Sequence, residues 1–358
     1  MSELILLCSA AALDRLPDQP SGAAIARAAT LARDDLRPGR LQKLLARGRI
    51  ARDTHDTALL PNELPEHAWL RRRFGLHDDD SVDAFAAHRH GLELPVWRLT
   101  PSHVTIGLDH AMLVDPGQLR LRDDESLALG QAAAELFRDY GFTLHASSPS
   151  EWFLTGETSL ALRGRGWRMA AGRNVDAYLP TGPDARLWRK MVSEVQMIWF
   201  RHPINEAREA RAEPAVNMLW LDGRAHQNPA PQAIVALSSS SEIGGLVLAA
   251  GGELIPQQML PDASQLASLE AAASQCDVLI DLSTWSESRR TDDARAWLDA
   301  WQGFEQWIST LLIAGWQPGR FRTLRLVLTG ERRTLEISLG GHQRWQFWRR
   351  LDLAGLVF

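Results

Sequence analysis

The sequence predicts an α/β protein: a mostly parallel sheet flanked by helices, with a smaller α+β domain inserted into it. Three observations carry this. Short apolar runs recur near both ends of the chain, at Leu4–Cys8, Val278–Leu282 and Leu324–Leu328. Runs without polar alternation suit strands buried on both faces, as in parallel sheets. Stretches with apolar residues three and four apart lie around those runs, the helical half of an α/β rhythm. Between about 95 and 184 the pattern changes to short strand-like segments and turns, which marks an insertion. The expected division is a core of residues 1–94 and 185–358 around an insert of 95–184.

Leu4–Cys8 is the first strand. Two stretches rich in Ala, Leu and Arg follow, about 21–33 and 39–48, and read as helices. Residues 51–68, with Pro61 and Pro65, read as loop. Val104–Gly107, Met112–Gly117 and Leu119–Leu121 read as short strands, with Pro116-Gly117 as the turn of an antiparallel hairpin. A helix is expected at about 124–138 and more short strands at about 143–170.

Thr181-Gly182-Pro183-Asp184 then carries helix-start signals: a capping residue, a proline and an acid suited to the dipole. Leu187, Met191, Val195, Ile198 and Trp199 follow on one face. A strand at Asn217–Leu221 is expected to end at Asp222-Gly223. After Val278–Leu282, Thr291-Asp292-Asp293 opens a helix whose apolar positions are Ala294, Trp297, Leu298, Trp301, Phe304, Ile308 and Leu311. Leu324–Leu328 and Thr334–Leu339 close the pattern.

Composition narrows the function classes. Across 358 residues, 45% are apolar and 23% charged, as in ordinary globular proteins. The net charge of −5 gives no basic footprint for nucleic acid or an anionic membrane. Cys8 and Cys276 alone build neither a disulfide framework nor a cysteine zinc site. The start lacks a basic segment ahead of its short apolar run, and no stretch approaches the roughly 18 apolar residues of a membrane span. A cytoplasmic protein is expected. The fourteen tryptophans are read as core filling rather than as a stacking surface.

No nucleotide loop, nucleophile elbow or His-Glu-x-x-His motif occurs. His77-Asp78-Asp79-Asp80 reads as an exposed helix start, and His88 and His90, two apart, do not converge. Ser238–Gly245 reads either as an anion-cradling loop before a helix or as a plain connection. Pro203 and Pro214 bracket a short helix on which Asn205 and Arg208, three apart, share a face. That pair could hold a phosphate or carboxylate, arginine by its bidentate fork, or could brace the link to the next strand. His202, beside a proline at a helix end, reads as a cap.

The segments His202-Pro203-Ile204-Asn205-Glu206-Ala207-Arg208 and Pro214-Ala215-Val216-Asn217-Met218-Leu219-Trp220-Leu221-Asp222-Gly223 are specific enough to name a family. They resemble the His-Pro-(Ile/Val)-Asn-x-x-Arg … Ala-Asn-x-x-(Trp/Leu)-x-x-Gly segment of archaeal-type cofactor-independent phosphoglycerate mutases, of the alkaline phosphatase superfamily. With the tryptophan content and the closing Trp345-Gln346-Phe347-Trp348-Arg349-Arg350, the chain is similar still more to the RpfE-type regulatory proteins of proteobacteria. The resemblance implies an alkaline-phosphatase-like sheet with its pocket at the carboxyl ends of the strands, near Ser9, Asp222, Gly223, Ser283, Ser286 and Glu331. It also adds Asn217 to the candidate binding residues.

In such mutases two metal ions activate a serine nucleophile and neutralise the transferring phosphoryl group. Here the metal ligands implied by the resemblance are replaced. The family's Gly-Asp-Gly is matched by Cys8-Ser9-Ala10. Its Asp-Glu-Ala-Gly-His-Asp-Gly-Asp is matched by Ser286-Glu287-Ser288-Arg289-Arg290-Thr291-Asp292-Asp293, and its Thr-Gly-Asp-His-Ser-Thr by Thr329-Gly330-Glu331-Arg332-Arg333-Thr334. Arg290 and Arg332 stand in place of histidines, and a guanidinium has no lone pair for a metal. The expectation is a degenerate homologue without a metal or cofactor, binding a small anion or a protein partner in a regulatory role. The anion candidates are Asn205, Arg208, Asn217, Arg290 and Arg332. The alternative is an active phosphoglycerate mutase or phosphatase with two divalent ions, manganese or zinc, on displaced ligands from Asp222, His226, Asp281, Glu287 and Glu331. A DNA-binding regulator is disfavoured by charge and by the lack of a helix-turn-helix pattern.

Overall fold

A computed structural model describes residues 3–12, 25, 48–54, 63–107, 110–156, 160–257, 260–261, 276–313 and 322–340, without the side chains of 52–54 and 310–313. The chain begins with strands β1 (Glu3–Cys8) and β2 (Arg49–Thr54), helix α1 (Pro65–Phe74) and a 3-10 helix (Val82–His90). Strands β3 (Val96–Ser102), β4 (Val104–Ile106) and β5 (Ala111–Leu113) precede helix α2 (Asp123–Asp139). Next come β6 (Phe142–Ser148), β7 (Glu151–Gly156), α3 (Ala185–Phe200), α4 (Pro203–Ala210) and β8 (Met218–Ala225). The rest is β9 (Ile234–Leu237), α5 (Ser241–Ala249), β10 (Glu253–Ile255), β11 (Asp277–Leu282), α6 (Thr284–Arg290), α7 (Ala294–Ile313), β12 (Thr323–Thr329) and β13 (Arg333–Gly340). Two compact units result: Met1–Pro61, Pro231–Ser240 and Gly251–Phe358 form the first, Asn62–Ala230 and Ser241–Ala250 the second.

The first unit is the mostly parallel α/β layer that the three apolar runs predict. Its sheet order is β10-β9-β11-β1-β12-β13-β2. The first five strands are parallel, and β13 and β2 add antiparallel at one edge. Leu4 pairs in register with both Val278 and Leu324, so the three runs lie side by side. All of Leu4–Cys8 is buried, which is why β1 shows no polar alternation. Thr291–Asp293 does open a helix: the Asp293 carboxylate accepts the Ala296 N–H at 3.0 Å. Down that helix, Trp297, Trp301, Phe304 and Ile308 pack against the sheet core. Nine tryptophans are buried among the described residues, in keeping with core filling.

One reading before residue 70 changes. Residues 51–68 are not one loop, because β2 runs to Thr54 and pairs with β13, while Pro65 opens α1. Proline at a first helical position lacks only an N–H that had no partner there. The helices expected at about 21–33 and 39–48 lie outside the described residues, apart from Ile25 and Gly48.

The second unit is built on an antiparallel sheet, order β6-β7-β3-β8. Helices α2 and α3 cover it through Phe137, Trp188, Val195 and Trp199. This unit is larger than the expected 95–184 insert for two reasons. Its sheet recruits β8 from beyond residue 184, and α5 packs on the 3-10 helix. A Cβ at Gly245 would stand 1.9 Å from the Phe85 carbonyl oxygen, so only glycine permits that approach.

The hairpin β4–β5 exists, but its turn lies between Gly107 and His110. Pro116-Gly117 instead begins a single helical turn, capped by the Asp115 carboxylate accepting the Gly117 N–H at 2.8 Å. Strands end at Gly156, and Trp167–Ala170 is one helical turn rather than a strand. Strand β8 does not end at Asp222-Gly223 but continues to Ala225. Arg98 pairs with Gly223 and Leu99 with Leu221, which leaves Asp222 as the extra residue of a β-bulge. Asp222 and Gly223 therefore sit inside an antiparallel strand, not at the carboxyl end of a parallel one.

Candidate functional site

Because β1, β9, β11 and β12 are parallel, their carboxyl ends share one edge of the first unit's sheet, where open α/β sheets bind ligands. Ser9 follows β1 and is buried. The Ala10 and Ala12 N–H groups donate to the Thr329 hydroxyl (3.2 Å) and carbonyl (2.9 Å), closing the turn onto β12. On β11, Asp281 accepts the Ser238 hydroxyl at 2.7 Å. Burial, and then the Asp281 charge, push the Cys8 thiol up, so it stays protonated. Helix α6 brings Arg289 to 3.4 Å from Glu331 in the β12–β13 turn. Arg290 pairs instead with Glu287, one turn back on the same helix, at the surface. Arg332 stands in the turn beside Glu331.

Two divalent ions at this edge would need carboxylates and neutral imidazoles with lone pairs to give. Asp281, Glu287 and Glu331 are engaged by Ser238, Arg290 and Arg289 respectively. Arg290 and Arg332, which stand nearby, have no lone pair for a metal. The residues present do not fit a two-metal group.

Three of the anion candidates are braces, and the expectation for them is corrected. Helix α4 starts with Pro203 behind His202, whose Nδ1 accepts the Ile204 N–H at 3.2 Å, the expected cap. Buried Asn205 donates to the Trp199 (3.0 Å) and Val216 (2.9 Å) carbonyls and accepts the Val216 N–H at 2.8 Å. Arg208 is fully buried and donates to the carbonyls of Pro214 (2.8 Å) and Leu119 (2.6 Å) and to Glu125 (2.6 Å). Glu125 also accepts Arg211 at 2.7 Å and Arg122 at 2.6 Å. Asn217 exchanges two hydrogen bonds with the Val104 backbone, 2.7 and 3.0 Å, as a strand partner would. With no exposed surface on Arg208, an outside anion has no route to it.

The second unit also holds a charge cluster that no sequence pattern announced. His67 Nδ1 lies 3.4 Å from Asp83. Arg168 reaches Asp83 at 3.3 Å and Glu242 at 2.9 Å. Arg98, almost wholly buried, lies 3.8 Å from Glu242 and donates to Glu151 at 3.3 Å. Beside them, Asp222 accepts the Thr100 hydroxyl at 2.6 Å and the Trp167 N–H at 2.8 Å.

Burial tends to raise the Asp83 carboxyl, but the His67 charge and hydrogen bond, then Arg168 and Arg98, hold it well below the usual range. Glu242, likewise buried, is drawn down to about 2 by Arg168 and Arg98. Burial pulls His67 down, yet Asp83 lifts it to about 9.

His67, Asp83 and Glu242 bring ligand atoms within 4.8 Å of one another. They do not suit a metal, because the imidazole is protonated and guanidinium groups occupy both carboxylates. The cluster ties α1, the 3-10 helix, β3 and α5 together. Its members come from far apart in the sequence, and each in isolation looks like an ordinary surface charge.

The displaced ligands of the alternative reading are also placed. Asp222 belongs to that cluster, and His226 is bonded to Asp80. Within either unit, among the described residues, no three of the proposed ligands come within that mutual distance.

No protein-family model matches the chain, and no curated protein matches it in sequence. The chain is similar to the solved structure of the PH0037 protein from Pyrococcus horikoshii, with a TM-score of 0.58 and 14% identity over 98% of this chain and 90% of that one. A slighter likeness, TM-score 0.48 and 12% identity over 95% and 89% of the two chains, links it to the cofactor-independent phosphoglycerate mutase from Thermoplasma acidophilum DSM 1728. At these identities the likeness concerns the fold alone, and the slighter one carries no argument. Among the described residues no helix is long and apolar enough to cross a membrane.

Proposed function

We propose that this chain is a degenerate relative of the cofactor-independent phosphoglycerate mutases, of the RpfE type. It acts in the cytoplasm as a binding or regulatory protein for a small anion or a protein partner, without the two-metal phosphoryl-transfer site or a cofactor. One observation carries the reading. At the sheet edge where phosphoryl transfer would occur, Glu331 and Glu287 are neutralised by the chain's own Arg289 and Arg290. A carboxylate held by a guanidinium is a poor ligand for a hard divalent ion. The His202–Arg208 and Pro214–Gly223 resemblance supports the family, and the α/β frame agrees with it. Arg290 and Arg332 remain the anion candidates.

The test is manganese content and turnover of 3-phosphoglycerate, measured on one purified sample after incubation with manganese. The expected result is neither bound manganese nor turnover. Near two manganese ions per chain with turnover would overturn the reading and restore the mutase.

A further inference from the structure

His77 and His226 meet at the surface of the second unit, held by one buried carboxylate. His226 Nδ1 lies 2.6 Å from Asp80 Oδ1, which also accepts the His226 backbone N–H at 2.8 Å. Asp80 Oδ2 accepts the His77 backbone N–H at 3.3 Å. The Asp80 side chain is 1% exposed, so His77–Asp80 is no simple exposed helix start. The two rings lie edge to face with centroids 6.1 Å apart. His226 is 37% and His77 63% exposed.

The bond to Asp80 commits Nδ1 of His226 as the donor and leaves the Nε2 lone pair, across the ring, for an outside partner. A carboxylate behind an imidazole is the arrangement that orients metal-binding histidines and makes them stronger donors. His77 has a carboxylate nearby but not yet bonded to it. Its Nδ1 now accepts the Asp79 N–H at 3.2 Å, and the Asp79 carboxylate lies 3.9 Å from it. Binding through Nε2 places the ring proton on Nδ1, which gives up the Asp79 N–H bond and requires the Asp79 carboxylate to close from 3.9 Å to accept it. With metal–nitrogen bonds of about 2.0–2.1 Å, an ion sits roughly 3.2 Å from each ring centroid. At the tetrahedral angle two imidazoles sharing an ion have centroids about 5.2 Å apart, so the rings, 6.1 Å apart, need to close by roughly 1 Å to share one. Other histidines are committed: His67 to Asp83, His90 to Glu151, His103 to the Ala215 carbonyl and His145 to Thr155.

We propose that His77 and His226, backed by Asp79 and Asp80, form a surface site for one divalent transition ion that favours imidazole, with zinc as the probe. Arg163 holds Asp79 at 2.5 Å, which keeps that carboxylate in the supporting role. Water completes the coordination.

The test is equilibrium dialysis of the full chain against zinc chloride. The expected result is one zinc per chain, with His77→Ala and His226→Ala each weakening binding at least tenfold and His145→Ala leaving it unchanged. Asp80→Asn should weaken it by about 10- to 100-fold, the usual effect of losing an outer carboxylate. If His226→Ala does not fold, His77→Ala, at an exposed position, still decides. No retained zinc, or zinc retained undiminished by His77→Ala, would overturn the site. The outcome is separable from the proposed function, which stands or falls on manganese and turnover.

Discussion

Asp222 offers a sharp test of how the second unit handles charge. It is the bulged residue of β8, 1% exposed. Burial, and to a lesser degree the Asp83 charge, push its carboxyl up from 3.8 to about 7, against the pull of Arg98 and of the hydrogen bonds from Thr100 and Trp167. A folded carboxyl with a raised pKa holds a proton that the unfolded chain has already released. Its contribution to stability therefore falls as pH rises from about 4 to about 7. At 1.36 kcal/mol per unit, the penalty is absent below pH 4 and approaches about 4 kcal/mol above pH 7. Asp222→Asn keeps an acceptor oxygen and removes the charge. Its stability relative to the parent should rise by about 3 kcal/mol between pH 5 and pH 8. The alkaline loss from His67 occurs in both proteins and cancels in that difference. Urea denaturation of both proteins at the two pH values measures it. An equal difference at both, or a variant that loses ground at pH 8, would refute the account of Asp222 as a buried carboxyl strained by ionisation.

Two further substitutions test the packing of that unit. Arg208→Ala should cost about 2–4 kcal/mol, because it leaves the Pro214 and Leu119 carbonyls without their donor and opens a cavity, while Arg122 and Arg211 still pair with Glu125; urea denaturation reads it, and Arg208→Met, which refills the cavity, should lose less. Gly245→Ala should cost about 1–3 kcal/mol by forcing α5 away from Phe85, seen as a lowered thermal midpoint with unchanged secondary structure by circular dichroism.

What was legible in the sequence follows from range. Leu4–Cys8, Val278–Leu282 and Leu324–Leu328 announce themselves because a strand buried on both faces is apolar at nearly every position, with Asp281 and Arg325 as the exceptions. The helix from Ala294 shows because Trp297, Trp301, Phe304 and Ile308 repeat at the helical period. His202 and Asp293 could be read as helix-start residues because a cap acts on N–H groups two or three residues away. The misreadings share the opposite property. Pro116-Gly117 fits a hairpin turn or a first helical turn equally well, and the choice fell to the Asp115 cap. Pro65 reads as a loop residue until the helix behind it is counted.

The candidate site was less legible. Asn205 and Arg208 were picked out by spacing and chemistry, but spacing cannot tell an arginine that awaits a ligand from one already committed. Glu125 and the Leu119 carbonyl, remote in sequence, settle that in favour of bracing. The same holds for Arg98, Arg168, Asp83 and Glu242, and for Asp80 between His77 and His226. By itself the sequence determined the class of fold and the main strands and helices, all properties of neighbouring residues. The tertiary structure alone decided that β8 joins an antiparallel sheet, that Asp222 bulges inward and that Arg98, Arg168 and Arg208 meet carboxylates from distant parts of the chain. Electrostatic partners are chosen by distance in space, and the chain path that sets those distances is not written in local spacing.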